Sequence, residues 1–538
     1  MFGEAGQAQT EHKTLHQYAY RRSPDQDARE PARHPVVVVG AGPVGLTAAI
    51  DLALRGVPVV LLDDADRIGE GSRGICQSKR SLEIWDRLGV GERLRERGVT
   101  WKLGKVLLGE ALAYEFDLLP EDGHKMPAFI NLQQYHLEKT LIDRALELPA
   151  LDLRWRNKVT SVAPGNDGVR LTIETPEGQY ALHADWMIAA DGARSSVREA
   201  LGLSFGGVAF EEKFLIADIR MEADLPTERR FWFDPPFHSG QSALMHRQPD
   251  NVWRIDLQLG PDADVNEEQK PERVIPRLQR MLGERPFELE WVSIYRFNCR
   301  RLDRFVHGRV VFAGDAAHQV SPFGARGGNS GVQDAENVAW KLAAVLAGRA
   351  GPRLIESYDA ERAQAADENI AHSTRSSDFI APRSAAERTL RNAVLALAPK
   401  AEFARRMVNS GRLSVATVYE SELSTPDENA FGGAARLGAP LPDAPVHAGG
   451  LPGFLLEQLR GDFALLYFKN GAPPAAPDGV ALHVVGDDLA DPTGMLAQRL
   501  DATPGAAYLV RPDQHLCARW RACDRGKIEA AQARALGY

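Results

Sequence analysis

The sequence predicts an α/β fold in three parts: a doubly wound parallel sheet, a second antiparallel sheet inserted into it, and a small α/β unit at the C-terminus. Three observations carry that prediction. The β-branched run Val36-Val37-Val38-Val39 leads into the turn Gly40-Ala41-Gly42-Pro43-Val44-Gly45 and then into helical spacing. Far downstream, Val310-Val311-Phe312-Ala313-Gly314-Asp315 delivers an acid into a glycine-rich turn that ends in Gly327-Gly328-Asn329 and opens another helix. Between about 200 and 300 the texture changes to alternating residues punctuated by Pro and Gly.

The elements follow in order. Residues 1–34 are polar and charged and read as a mobile or surface-draped leader. The valine run is a strand buried on both faces, Leu46 to Arg55 has helical apolar spacing stopped by Gly56, and a second apolar run from Val57 to Leu62 ends in Asp63. That βαβ unit opens a nucleotide-binding domain assigned to 35–200 and resumed at 301–385. The inserted sheet takes 201–300. Within it, Trp253, Ile255, Leu257 and Leu259 share one strand face while Arg254, Asp256 and Gln258 share the other. Helical character runs from Gly331 to about Arg406, 386–436 reads as a helical linker, and a Pro/Gly/Ala-rich stretch near 437–445 marks the last boundary. Strands are expected at 463–468, 480–485 and 507–511 of the final unit, 437–538.

Composition narrows the function classes. At 538 residues the chain exceeds one core. A net charge of −9 without a long basic stripe argues against nucleic acid. The four cysteines (Cys76, Cys299, Cys517, Cys523) are scattered, and the spacing of the last two fits neither a zinc site nor a redox pair. Neither a membrane span nor a signal-peptide apolar core is visible, so a cytoplasmic enzyme is expected. Nothing reads as a metal site or a Ser-His-Asp triad.

In the first turn, Gly40 permits the tight bend, Gly42 lets backbone reach a pyrophosphate, and Gly45 packs helix on strand. Asp63 closes the next strand, where a carboxylate can accept both ribose hydroxyls of an adenosine. That fingerprint alone cannot separate NAD from FAD. Two further segments decide for FAD: the strand ending in Asp191-Gly192, and the Asp315 turn with Gly327, Gly328 and Asn329 at a helix start. A flavin becomes anionic on reduction, and a helix N-terminus there is worth about 1 kcal/mol to the reduced form.

The three segments, in this order and spacing, resemble the single-component FAD-dependent aromatic hydroxylases, the class of para-hydroxybenzoate, phenol and hydroxyphenylpropionate hydroxylases. The resemblance covers about residues 36–385. It implies an enzyme that hydroxylates an aromatic, phenolic substrate with O2 and NADH or NADPH through a flavin hydroperoxide. It puts the ribose acid on Asp63, the flavin-contacting arginine on Arg73, a cofactor-touching glutamine on Gln134, the Asp-Gly motif on Asp191 and Gly192, and the ribityl ligand on Asp315 of Gly314-Asp315. Pro322 falls beside the reactive flavin edge; the family's Pro-Pro is here Ser321-Pro322. The phenol-type base has no counterpart, since residues 74–78 carry no carboxylate. The C-terminal unit resembles the thioredoxin-like appendage of larger members, without the redox Cys pair, and reads as structural or oligomerising; a homodimer is left open.

Four residues are expected to serve catalysis: Arg254, Tyr295, His238 and Pro322. Arg254 aligns with a family arginine placed to bind reduced flavin; its alternative is a pairing with Asp256 or a neighbour on a solvated face. His246 is a second histidine considered as base, Arg326 an electrostatic contributor and His318 structural. Rival readings are an epoxidase or polyketide hydroxylase of the same fold, and a non-turnover protein that binds FAD and a ligand. A flavin-dependent halogenase would need a Trp-x-Trp-x-Ile-Pro segment, which is absent.

Overall fold

The computed structural model describes residues 17–538 apart from Glu70, Ser72 and 409–412. A parallel sheet forms the first layer. Strand Ala32–Val39 lies between Val59–Leu62 on one side and Gly178–Ala189 on the other, with Leu151–Arg154 and Val310–Phe312 beyond them. Val36, Val37 and Val38 are inaccessible, as a strand covered on both faces requires. Helix Pro43–Leu54 starts at Gly42 with Pro43 in its first turn, where a missing N–H costs nothing.

The first sixteen residues of the expected leader lie outside the described residues; the rest of it lies along the surface and is anchored there. Tyr18 stacks on Trp155 with ring centroids 4.7 Å apart, Ser23 caps the turn Pro24–Asp27, and Asp25 pairs with Arg154 at 2.6 Å. A polar composition concealed an aromatic anchor and a charge pair whose partners lie over a hundred residues away.

The second sheet is larger than the 201–300 insertion. Its strands run Glu288–Arg301, Gly206–Arg220, Val252–Leu259, Ser242–Arg247, Arg229–Phe233, Leu103–Leu108 and Ala111–Asp117 in neighbouring order, with His318–Gln319 at the edge. Three strands, Leu103–Leu108, Ala111–Asp117 and the edge strand His318–Gln319, therefore come from segments assigned to the nucleotide-binding domain. Arg229–Phe233 and Leu103–Leu108 pair in parallel, so the sheet is mixed. Trp253, Ile255, Leu257 and Leu259 pack against Val274, Leu278 and Leu282 of helix Pro271–Leu282. The opposite face, with Arg254, Asp256 and Gln258, turns toward the first layer.

Helices Gly327–Leu346 and Arg353–Ile380 cross behind the parallel sheet, and Ala385–Leu397 and Glu402–Met407 follow. From 413 to 444 the chain holds neither helix nor strand, so the linker expected at 386–436 is helical only in its first half. The stretch from 413 to 444 is an irregular strap between the long helix and the last sheet: Gln364 Nε2 donates to Val418 O at 3.1 Å, and Thr425 N to Cys517 O at 2.8 Å.

In the C-terminal unit, Phe463–Phe468 pairs in parallel with Val480–Val485 and antiparallel with Ala507–Val510, which continues to Leu516–Trp520. That mixed sheet is the thioredoxin-like arrangement. Cys517 is buried, its thiol on Leu509 O at 3.3 Å, and both Cys517 and Cys523 are free. No helix among the described residues is long and apolar enough to cross a membrane.

Candidate active site at the junction of the two sheets

The first glycine turn is shaped by two contacts that exclude a side chain. Gly40 has φ +102° and donates its N–H to Leu62 O at 2.8 Å; a Cβ there would lie 2.5 Å from Ala190 O. A Cβ on Gly45 would lie 1.9 Å from Gly40 O, inside contact distance. Gly42 differs, because nothing stands within 4 Å of its Cβ position. Space is left where the helix presents backbone N–H groups without a side-chain cap. Asp63 steadies the turn from below, accepting from Ala41 N at 2.6 Å and Ala65 N at 2.9 Å, and burial pushes its carboxyl above the usual range.

Two further acids converge on the same groove. Asp191 Oδ2 accepts from Val197 N at 3.1 Å and Ser196 Oγ at 3.3 Å, whereas its Oδ1 is buried without a partner. Gly192, with φ +78°, leaves open space beside it. Asp315 follows Gly314 (φ +62°), and its carboxylate accepts no hydrogen bond among the described residues. Asp315 is accessible to solvent yet lies deep in the cleft, where burial raises its carboxyl and the charges of His318 and Arg73 pull the other way. Helix Gly327–Leu346 opens uncapped next to it, with empty space at the Gly328 Cβ position.

The loop over this groove is tied down at known points. Gln134 Oε1 accepts from Gly74 N at 3.2 Å while its Nε2 donates to Glu138 Oε1 at 2.7 Å, and Glu138 Oε2 accepts from Gly69 N at 2.9 Å. Arg73 projects from this loop, exposed, near enough to Tyr295 and Asp315 for its charge to oppose the rise that burial gives both. Gly71 (φ +73°) packs against the Trp291 indole, 2.5 Å from where its Cβ would be. Pro322 stands exposed on the facing turn, closed by Ala325 N on Pro322 O at 3.0 Å with Ala325 at φ +53°.

Trp291 belongs to the polar face of the second sheet. Arg254 sits opposite Asp218 on one neighbouring strand and opposite His246 on the other. Its guanidinium grips the Asp218 carboxylate through Nε and Nη2, each at 2.8 Å, and lies 5.6 Å from the Trp291 ring centre. Burial works against that charge, but Asp218 more than restores it. Tyr295 lies two strands from Gln258 on the same face, and burial raises its phenol. Phe214, Phe231 and Phe233 line the other end of the face, with Phe323 of the Pro322 loop 4.9 Å from Phe214, edge-on.

Comparison with known proteins supplies the family. The FAD binding domain family matches residues 33–373. A flavin-dependent monooxygenase of Mycobacteroides abscessus is 30% identical over 505 residues, covering 89% of this chain and 96% of that protein. The chain belongs to the FAD-dependent aromatic hydroxylases. A para-nitrophenol 4-monooxygenase of a Pseudomonas species is 31% identical over 61% of this chain and 82% of its own. The solved structure of the flavin-dependent monooxygenase PieE, with FAD and substrate, superposes with a TM-score of 0.80 at 24% identity over 94% of this chain and all of that one.

The hydroxylase's cofactor is FAD, and the groove fits it: an orphaned acid oxygen on Asp191, an unclaimed Asp315, two uncapped helix starts and glycines whose missing side chains leave approach open. Gly42 and Gly45 then part company under mutation. Gly45→Ala is expected to be isolated nearly colourless, whereas Gly42→Ala folds normally and binds FAD about tenfold more weakly. Flavin absorbance per protein, beside a thermal melt, separates the two.

Several sequence expectations land elsewhere. The Asn329 side chain is spent on protein: its Oδ1 accepts from Ser78 N at 2.9 Å and Ser81 Oγ at 2.7 Å, and its Nδ2 donates to Cys76 O and Ala325 O. Only its backbone is left to face a cofactor. His238 sits beside Arg277 and Arg280 of helix Pro271–Leu282 with its Nε2 on Gln258 O at 2.7 Å, on the side of the sheet away from Arg254. Arg254 pairs with Asp218 inside the protein, so the solvated-face alternative does not describe it. Sequence reading placed Asp256 on the polar face without giving it a part, and missed Asp218 and Arg229 as members of that face. The alternation at 254–258 carried the signal for Asp256; nothing in sequence announces which strand lies alongside.

Proposed function

We propose that this hydroxylase acts on a small phenolic compound, using NAD(P)H and O2, with the ring held between the Pro322 turn and the inner face of the second sheet. One observation carries the reading. That face is aromatic at one end and ionic at the other, and it abuts the loop and turn that carry Arg73 and Asp315. Aromatic walls favour a flat ring, and the shared charges orient its polar substituent. When bound, FAD supplies the redox chemistry between NAD(P)H, O2 and the ring. The chain's part is to bind, orient and keep water out.

Arg254 is the positioning member of the set. Held by Asp218, it fixes Trp291 against Gly71 and so sets the position of Arg73. Tyr295 hydrogen-bonds substrate or cofactor from the same face, and Pro322 closes the other side. His238, on the far side of the sheet, is given no part. Four free cysteines accord with a reducing, cytoplasmic setting.

The test is NAD(P)H oxidation and O2 uptake by the yellow protein across a panel of phenols, with hydrogen peroxide scored separately. A phenol that accelerates both at least tenfold with little peroxide supports the reading. If phenols bind but none of them speeds flavin reduction, the proposal fails in favour of a ligand-holding flavoprotein.

A further inference from the structure

Three groups on the polar face remain outside the contacts described so far. The Asp256 carboxylate makes no hydrogen bond among the described residues, and its Oδ1 is fully buried. His246 is 3% exposed, with its Nε2 unpartnered and its Nδ1 only 3.9 Å from the Cys76 thiol. Arg229, 8% exposed, has neither an ion pair nor a hydrogen bond among the described residues. Arg230 pairs with Met245, which puts Arg229 on the same face as His246. Arg254, by contrast, is already satisfied by Asp218.

An acid whose Oδ1 is fully buried and a buried guanidinium, on one face of the sheet and not bonded to each other, are costly unless a ligand completes them. The acid needs a donor and the guanidinium needs an acceptor. One atom that answers both is a hydroxyl oxygen. A carboxylate would satisfy Arg229 and repel Asp256, and an ether would leave Asp256 bare.

We infer that Asp256 is the proton acceptor for the ring hydroxyl of the substrate, and that Arg229 holds the phenolate so formed, with His246 as a further hydrogen-bonding partner. The O–H bond breaks, the proton passes to Asp256 Oδ1, and the electron pair stays on oxygen beside the Arg229 cation. No oxidant is consumed, and the ring becomes more electron-rich before it is attacked. The substrate class follows: a hydroxyaryl compound whose hydroxyl is free, rather than an aryl ether or an arene bearing only a carboxylate. The inference rests on the hydroxylase reading only in calling that ligand the substrate.

The groups facing Asp256 set its ionisation. Burial raises it to about 6, Arg254 on its own strand and Arg229 across the sheet oppose the rise, and Asp218 adds to it. Cys76 and Tyr295 stay neutral in ordinary conditions, both raised by burial, and His246 is held well below its usual value by burial and by Arg229 and Arg254. A proton acceptor must be ionised, so turnover rises with pH through a limb near 6.

The experiment has a binding arm and a turnover arm. In the first, 4-nitrophenol and its methyl ether, 4-nitroanisole, are titrated into the FAD-loaded protein without reductant. The phenol is expected to bind at least tenfold more tightly, and Arg229→Gln to reduce that preference below threefold. In the second, the best phenol of the panel is turned over between pH 5 and 8. Asp256→Asn is expected to keep its FAD, lose the limb near pH 6 and fall about 100-fold in kcat. Equal binding of phenol and ether, or an Asp256→Asn enzyme with the wild-type limb and rate, overturns the inference even if hydroxylation is established. Tenfold preference for the phenol, abolished in Arg229→Gln but without any NAD(P)H oxidation, keeps the site and sinks the hydroxylase reading instead.

Discussion

Asp334→Ala is expected to cost about 3–5 kcal/mol and to strip the protein of FAD. Asp334 is wholly buried in helix Gly327–Leu346, two helical turns after the cofactor-facing glycines. Its Oδ2 accepts from Gly314 N at 2.8 Å and from His318 Nε2 at 2.7 Å; its Oδ1 accepts from Arg362 Nε at 2.5 Å. One carboxylate thus fixes the backbone that presents Asp315, a ring under the Pro322 loop, and the long helix behind both. Burial works against that charge, but His318 and Arg362 hold the carboxyl far below its usual range. Alanine would leave the Arg362 guanidinium buried beside a hole, and removing one member of a buried pair costs about that much. Asparagine does not rescue it, because its NH2 would meet a donor on one side or the other.

The sign of the pH effect follows. A carboxylate whose folded pKa is depressed adds stability that is present above about pH 4 and is lost as pH falls toward the folded value. The wild type should therefore lose stability and flavin together on acidification, while Asp334→Ala should show a flatter acid limb. Flavin content after gel filtration and a melt at two pH values check both. Retention of FAD by Asp334→Ala would mean that the Gly314 turn is held by something else.

What sequence revealed and what it concealed divide along physical lines. Local signals were legible. Four valines in a row before Gly40 and the apolar run at Phe463–Phe468 became strands because burial on both faces admits little else, and Val480–Val485 joined them as a partly exposed neighbour. Gly40 and Gly45 were readable because their backbone demands are local. Juxtaposition was not. Strands Leu103–Leu108 and Ala111–Asp117 carry no mark of joining a sheet whose other members start a hundred residues on. The polar stripe Arg254, Asp256, Gln258 alternates as a solvated face does, and only the covering first layer turns it into a buried site. Asn329 sits at the right helix start, but its amide was claimed by Ser78 and Ser81, some 250 residues upstream.

The same limit hid the charges that bind the C-terminal unit, and they predict the second large effect, at Glu361. Its carboxylate accepts from Arg511 Nη1 at 2.6 Å and Nη2 at 3.1 Å, from Lys341 Nζ at 2.9 Å and from Asn337 Nδ2 at 2.7 Å. Arg511 is gripped in turn by Asp513, whose Oδ2 also accepts from Trp340 Nε1 at 3.0 Å. Lys341 and Glu361 belong to the two helices behind the cofactor groove, Arg511 and Asp513 to the turn joining the last two strands, so one buried cluster bolts the appendage to the catalytic body. Removing Glu361 strands the Lys341 cation, already pulled down to about 8 by burial, and takes away half the partners of Arg511. Glu361→Ala is expected to cost about 3–5 kcal/mol, with the loss appearing first as protease cleavage in the 413–444 strap. Cys523→Ser should leave both stability and turnover unchanged, since that thiol is free and distant from the groove. If Glu361→Ala is cut no faster than wild type while Cys523→Ser lowers turnover, the appendage works through its thiols and not as a buttress. The geometry argues for the buttress, because the helix carrying Asn337 and Lys341 is the one whose first turn faces the flavin groove.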